Sequence, residues 1–173
     1  GNIDLEEFEA VQEILYTNSE VIGAAPFIET QGLLSSGSFL KGVYIYGVVP
    51  EYENSVSTIN EHIDSGTFDS LEEESYNLVV GDILAYQLGI GVGDNVNVLV
   101  PDTGLGIAGI FPRTKKFVVS GIFNIGAPEL DQSVAYMGIE NASKLLRMNR
   151  SISGVRIKYK DLFSSNNQVR LDV

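Results

Sequence analysis

Alternation with a period of two restricts this chain more than any other feature. In VGDNVNVLV, residues 92–100, Val96, Val98 and Val100 fall on one side while Asn95 and Asn97 fall on the other. That spacing suits a β-strand with one covered face and does not suit a helix. KFVVSGIF, residues 116–123, is again rich in β-branched and aromatic residues and reads as a second strand. Between them runs a glycine-rich, apolar stretch bounded by Pro101 and Pro112. The middle of the chain must therefore fold as strand, loop, strand, and the remainder has to pack around a sheet.

Within that loop Gly104, Gly106 and Gly109 spell G-x-G-x-x-G. A dinucleotide site places such glycines between a strand and a helix whose first amides hold the pyrophosphate. Glu129 lies at about the offset expected of a ribose-binding acid, some ~20 residues on. A helix begun at Gly106, however, would carry Pro112 in its interior, at a cost of ~3 kcal/mol or more. A β pattern then follows instead of a helix. GIGVG at 89–93 is followed by a strand in the same way. The glycines read as a long hairpin loop, and nucleotide binding through 104–109 is retained only as a remote alternative. Leu105, Ile107, Ile110 and Phe111 in the loop, followed by Arg113, Lys115 and Lys116, read as apolar side chains presented to a partner protein. The competing expectation is that they fold back onto their own domain.

The flanks carry both element types. DLEEFEAVQEIL sets Leu5, Phe8, Val11, Gln12 and Leu15 at helical spacing, with Asp4 as a candidate cap. VIGAAPFIETQGLLSS, interrupted by Pro26, and FLKGVYIYGVV read as paired strands. YNLVVG and SVAYMGI are short strands, DILAYQLG is a helix capped by Asp82 and closed by Gly89, and ENASKLLRM is a short helix with bases near its end. SISGVRIKYKD alternates Val155, Ile157 and Tyr159 against Arg156, Lys158 and Lys160, as a strand with one wet face does. Residues 50–75 are polar, with a possible helix at 57–64. Helix–strand units around a strand-rich middle give an α+β layout with two subdomains.

Charge narrows the partners. The formal net charge of −12 argues against nucleic acid and against an anionic membrane surface. Residues 1–80 hold fifteen acids and one base, Lys41, whereas residues 81–173 hold eight acids and ten bases. Acidic runs such as LEEFEA read as solvated faces, or as a surface for a basic partner. Catalytic constellations are thin. Without cysteine there is no disulfide or thiolate chemistry. One histidine, His62, in polar surroundings excludes a His-rich metal site, and no G-x-S-x-G elbow is present. Glu129 and Asp131 in GAPELDQS read as a turn. The chain is expected to be a non-catalytic interaction module with no cofactor and no metal. It contains no run of eighteen apolar residues and no signal peptide. Its opening, GNIDLEEFEAVQEIL, reads as a helix entered partway, in a piece of a longer protein.

Several stretches taken in order resemble the large periplasmic domain of lipoprotein-releasing ABC transporter permeases of the LolC/LolE type. They are APFIETQGLLSSG, GVYIYGVVPE, VVGDILAYQLGIGVGDNVNVLVP, FPRTKKFVVSGIF, ELDQSVAYM and ISGVRIKYKDLF, spread over roughly residues 20–163. The resemblance implies a MacB-like core with a porter-like βαβ subdomain built from both chain ends, 1–49 and 124–173. An inserted β-rich lobe would occupy 50–123 and carry a protruding hook hairpin at 101–117. It further implies a setting on the periplasmic face of the bacterial inner membrane. There a second permease subunit, cytoplasmic ATPase subunits, an acylated lipoprotein substrate and a LolA-like carrier chaperone would be partners, with ATP hydrolysed in the separate subunit. The hook would use Leu105, Ile107, Ile110, Phe111, Pro112 and Arg113, and a pad beneath it Asn97, Thr114 and Lys115. The recruiting subunit of the family can carry arginine where Asn97 stands here. FPR at the hook resembles that recruiting subunit, whereas SISGVRIKYKDLF resembles its partner, so a permease combining both roles fits. The alternative within this fold is a MacB-type efflux permease that contacts an adaptor protein.

Overall fold

The long apolar run after residue 20 becomes β1 (Val21–Ser36), which turns at Gly37, φ +58°, into β2 (Phe39–Val48). The computed structural model describes residues 3–72, 76–101 and 113–160 in full, and the backbone of 168–172. In chain order the other elements are α1 (Phe8–Tyr16), α2 (Pro50–Glu53), β3 (Ile63–Gly66), β4 (Asn77–Gly81), α3 (Asp82–Leu88), β5 (Asn95–Val100), β6 (Arg113–Phe123), α4 (Pro128–Asp131), β7 (Val134–Gly138), α5 (Ile139–Leu146), β8 (Gly154–Tyr159) and β9 (Gln168–Asp172). The layout is α+β, as the sequence pattern predicts.

Six strands pair in a closed circuit. β1 pairs with β2, β2 with β7, β7 with β4, β4 with β6, β6 with β5, and β5 returns to β1. Alternate residues of these strands face inward. Leu34, Val43, Ile45, Leu78, Val80, Val96, Val98, Val100, Phe117, Val119, Ala135 and Met137 are buried in one core. Phe8 of α1, Leu84 and Leu88 of α3 and Ala142 and Leu145 of α5 belong to the same core. β8 extends the sheet from β1, and β9 extends it from β8. Pro26 lies where β1 pairs with β8, just before the β2 register opens at Phe27↔Val48, so its missing N–H breaks no bond to β2.

Local chemistry explains the helix ends. The cap residue of α1 is Glu7, not the expected Asp4; Asp4 Oδ1 accepts from the Glu7 N–H at 2.9 Å and Glu7 Oε2 from the Asp4 N–H at 3.1 Å, which closes the turn leading into the helix. Phe8 is buried, and Leu5, Val11, Gln12 and Leu15 are half-buried along the same stripe. α3 closes at Gly89, φ +66°, as predicted. Its start differs from the expected Asp82 cap: the cap residue is Gly81, and Asp82 Oδ2 instead accepts from Asn124 Nδ2 at 2.8 Å. A Cβ at Gly81 would lie 2.0 Å from the Asp131 carbonyl oxygen, so the entry to α3 is fixed by backbone approach. Asp131 is itself structural. Its carboxylate accepts from the N–H groups of Ile125 and Gly126, in keeping with a turn at GAPELDQS.

The polar segment after β2 forms short pieces. In place of a helix over 57–64 there is a single 3-10 turn, Ile59–His62, after which Ile63–Gly66 joins the edge of β6. A second 3-10 turn spans Asp69–Glu72. Ile59, Phe68 and Leu71 pack on a second cluster with Val48, Val79, Phe123 and Val134, on the outward side of the closed circuit. Tyr136 is the aromatic hub there, edge-on to Phe68 and Phe123. β9 corresponds to no strand in the sequence reading.

One buried charge pair ties this segment to the end of the chain. Glu53 of α2 accepts from Arg156 of β8; the Glu53 side chain is 0% exposed and that of Arg156 16%. Arg156 also lies against the rings of Phe27 and Tyr46. Burial pushes the Glu53 carboxyl above its usual range, and Arg156 opposes that rise. A carboxyl whose folded value is raised favours the folded state below its ordinary value, and that contribution is lost as pH rises through the raised value. Arg156→Met should thus cost about 3–5 kcal/mol at pH 7, because the buried Glu53 must then either keep its charge unpaired or take up a proton. The deficit relative to the unsubstituted protein should shrink towards pH 4.5. Urea unfolding at the two pH values measures both.

Candidate interaction surface

β5 and β6 run antiparallel, from Asn95↔Val118 to Val100↔Arg113. Their ends bring Val100 and Arg113 side by side, so the segment between leaves and re-enters the sheet at one place. Antiparallel return is incompatible with the strand–turn–helix crossover of a dinucleotide site, as the hairpin reading requires. Residues 102–112, which carry Gly104, Gly106, Gly109 and the hook residues Leu105, Ile107, Ile110, Phe111 and Pro112, lie outside the described residues.

The base of this hairpin is held from two sides. Arg113 Nη1 donates to the carbonyl oxygen of Leu145 at 2.6 Å. A guanidinium there satisfies an orphan carbonyl of α5 and meets the negative end of its dipole. Lys115 Nζ lies 4.4 Å from the centre of the Tyr76 ring, a cation–π contact. Tyr76 is itself fixed: its ring stands edge-on to Phe117 at 5.3 Å, and its carbonyl accepts from the Val118 N–H at 2.9 Å. Tyr76, Arg113, Thr114, Lys115, Lys144 and Leu145 line a groove of about 190 Å³. Three cations meet there in a chain of net charge −12.

Arg113, Thr114 and Lys115 line one groove that Asn97 does not line, although Thr114 lies on the strand face that carries Asn97. Asn97 is exposed and stands directly opposite Lys116 in the register, on the face away from Val96 and Val98. Lys116 is the basic neighbour that Asn97 has, and period-two counting across the hairpin would have found it. Lys144 was visible only as a base near a helix end, and nothing in the sequence points to Tyr76. Among the described residues no group of three or more His, Cys, Asp and Glu could hold a metal ion. No described helix is long and apolar enough to cross a membrane.

The model of the MacB-like periplasmic core domain matches residues 1–168. The chain belongs to this family. Over 158 residues it is 36% identical to the lipoprotein-releasing system transmembrane protein LolC of Xylella fastidiosa (strain Temecula1), covering 91% of this chain and 38% of that protein. It is 27% identical over 164 residues to the LolE protein of Haemophilus influenzae, covering 94% of this chain and 39% of that protein. The chain therefore spans less than two-fifths of the length of these relatives. The extracellular domain of the noncanonical ABC-type transporter YknZ from Gram-positive bacteria superposes with a TM-score of 0.65 at 13% identity, over 93% of this chain and 75% of that one; this likeness concerns the fold. The MacB-like core described here is of the LolC/LolE type, a periplasmic domain of ABC transporter permeases.

The two faces of the hairpin should respond differently to substitution. Arg113→Gln should lower the stability of this MacB-like core by about 1.5 kcal/mol, because a charge-assisted bond to a helix end is lost. Lys116→Ala should stay within about 0.5 kcal/mol. Urea unfolding monitored by circular dichroism checks both.

Proposed function

We propose that this chain is the periplasmic domain of an inner-membrane permease that releases lipoproteins and docks a periplasmic carrier chaperone through residues 101–117. The likeness to LolC and LolE proteins supports the setting. The observation that carries the docking site is the hairpin base, where an otherwise acidic chain gathers Arg113, Lys115 and Lys144 around one groove. In this reading the apolar hook residues enter the mouth of the chaperone's lipid-binding cavity, while the cations face carboxylates beside it. Rim charges of this kind chiefly govern the rate of encounter, and buried apolar anchors govern how long the complex lasts.

In this reading the domain is carried on membrane segments, and its two described ends lie at one edge of the fold. The Ile3 carbonyl accepts from the Ile152 N–H, and Asp172 pairs with Gly154. ATP-driven motion of those segments would enter the domain along this edge. ATP itself would be hydrolysed by a separate cytoplasmic subunit, and a second permease subunit would complete the passage for the acylated protein. Within this reading 1–49 with 124–173 form the porter-like part, and 50–123 the lobe that bears the hook. The second reading is a MacB-type permease whose periplasmic domain binds an adaptor protein, in keeping with the MacB-like core.

Calorimetric titration with a LolA-like carrier chaperone tests the docking site. Phe111→Glu should weaken binding by about ten- to one hundred-fold, the loss expected when one anchor worth about 1.5–3 kcal/mol no longer buries. The melting temperature should stay unchanged. Unaltered affinity, or capture of an adaptor in place of the chaperone, would overturn the assignment. Lys115→Glu should slow association at low ionic strength and lose that effect in high salt.

A further inference from the structure

We propose that the outward wall of the sheet, where β2, β1, β5 and β6 lie side by side, is a second contact area for the carrier chaperone, with Leu33, Leu40, Tyr44 and Leu99 as its apolar centre. Its occupant is taken from the docking reading above, on which the proposal rests, and the wall extends that site from the hook and pad onto β1 and β2. The strand register puts these residues on one surface. Leu33 of β1 stands opposite Gly42 of β2 and Leu99 of β5, and Leu99 stands opposite Thr114 of β6, so one row crosses four strands. In the next row Ser35 stands between Leu40 and Asn97, and Asn97 is opposite Lys116. Tyr44 is opposite Gln31. The residues that alternate with these rows, among them Leu34, Val43, Val98 and Phe117, are buried in the core, which leaves the rows themselves on the outside.

Two features separate this wall from an ordinary wet face. An antiparallel sheet with one side in water carries polar residues on that side. Here Leu40 is 55% exposed, Tyr44 46% and Leu33 38%, in adjacent positions and with Leu99 half-buried beside them. Contiguous exposed apolar side chains mark a partner site. The second feature is charge. Gln31–Ser35, Leu40–Tyr44, Asn95–Leu99 and Thr114–Val118 contain no Asp or Glu, in a chain that holds 23 of them. Lys116 is the one charged residue at the outward positions of these spans. Depletion of charge around apolar and aromatic side chains is the composition of an interface centre.

Position decides the occupant. β5 and β6 are the two stems of the hairpin, and they end at Val100↔Arg113. Leu99 and Thr114, one pair earlier, are therefore the first outward sheet residues that a protein gripping 101–112 meets, and Leu33 is the next residue in their row. The wall is continuous with the hairpin through its register alone. It differs from the basic groove, which Arg113 and Lys115 line from the opposite side of β6. The chemistry that fits the wall is a neutral, largely apolar protein face. Apolar burial there would prolong the complex, whereas the cations of the groove act on the rate of encounter.

The test is calorimetric titration of the chain with a LolA-like carrier chaperone, comparing the parent, Phe111→Glu and the double variant Leu33→Gln/Leu40→Gln. The double variant is altered only at exposed positions and should melt as the parent does. It should bind the chaperone about ten-fold more weakly, the loss expected when two interface anchors are removed. A photo-crosslinking phenylalanine analogue in place of Tyr44 should join the chain to the chaperone. The same analogue in place of Tyr86, 88% exposed on α3 and off this wall, should not. Undiminished affinity in the folded double variant, or no crosslink from position 44, would overturn the wall; the hook would still stand if Phe111→Glu weakens binding. A parent chain that does not bind the chaperone would overturn the docking reading and the wall with it. Sedimentation of the chain alone should give a monomer, and a dimer that the double variant dissolves would make the wall an interface between copies and overturn the proposal.

Discussion

β1 pairs with three strands, β2, β5 and β8, and the closed circuit exists because it does. Its first half pairs with β8, its second half with β2, and Leu33–Ser35 pair with β5 as well. A strand of sixteen residues is long enough to serve two sheet directions, and Val21 to Leu34 supply the apolar side chains that both require. Without that overlap, β5 and β6 would be a two-stranded ribbon, which is marginal in water. Closure pairs Asn97–Leu99 of β5 with β1 and Val118–Phe123 of β6 with β4, and gives Val96, Val98, Val100 and Phe117 an enclosed core to enter.

The hairpin that the circuit supports is also locked from outside. Arg113 holds the end of α5, and Lys115 lies on the Tyr76 ring. These contacts fix the β6 stem that follows the glycine-rich stretch. A docking element needs this: an anchor presented from a rigid base loses less freedom on binding than one on a free chain. The charge asymmetry then has a spatial meaning. Most acids lie in the first half, where four of them, Glu6, Glu9, Glu51 and Glu72, rim a cleft beside α1, and bases gather at the hairpin and α5.

Much of this was legible in the residues. Period-two alternation marked β5, and β-branched and aromatic residues marked β6; β8 was marked by alternation too, but its expected wet face carries Arg156, which the fold buries against Glu53. Gly89 marked a helix end because a left-handed backbone is required there. The segment after β2 was not legible, because its core contacts come from isolated side chains, Ile59, Phe68 and Leu71, set in polar text with no period. The Glu53–Arg156 pair spans 103 residues, and no local pattern announces a partner so distant. The hairpin surface was half visible. Its basic run could be read directly, but which bases share a face depends on the register, and Tyr76 reaches Lys115 only through the fold.

The account's central claim is that a rigid hairpin stem presents residues 101–112 to a carrier chaperone. Amide hydrogen exchange, with and without a saturating LolA-like chaperone, tests it most directly. The account predicts that the amides of β5 and β6 exchange slowly in the free domain, and that the chaperone adds protection between residues 97 and 116 while leaving β8 unchanged. Rapid exchange throughout both stems in the free domain, or new protection confined to some other surface, would contradict it.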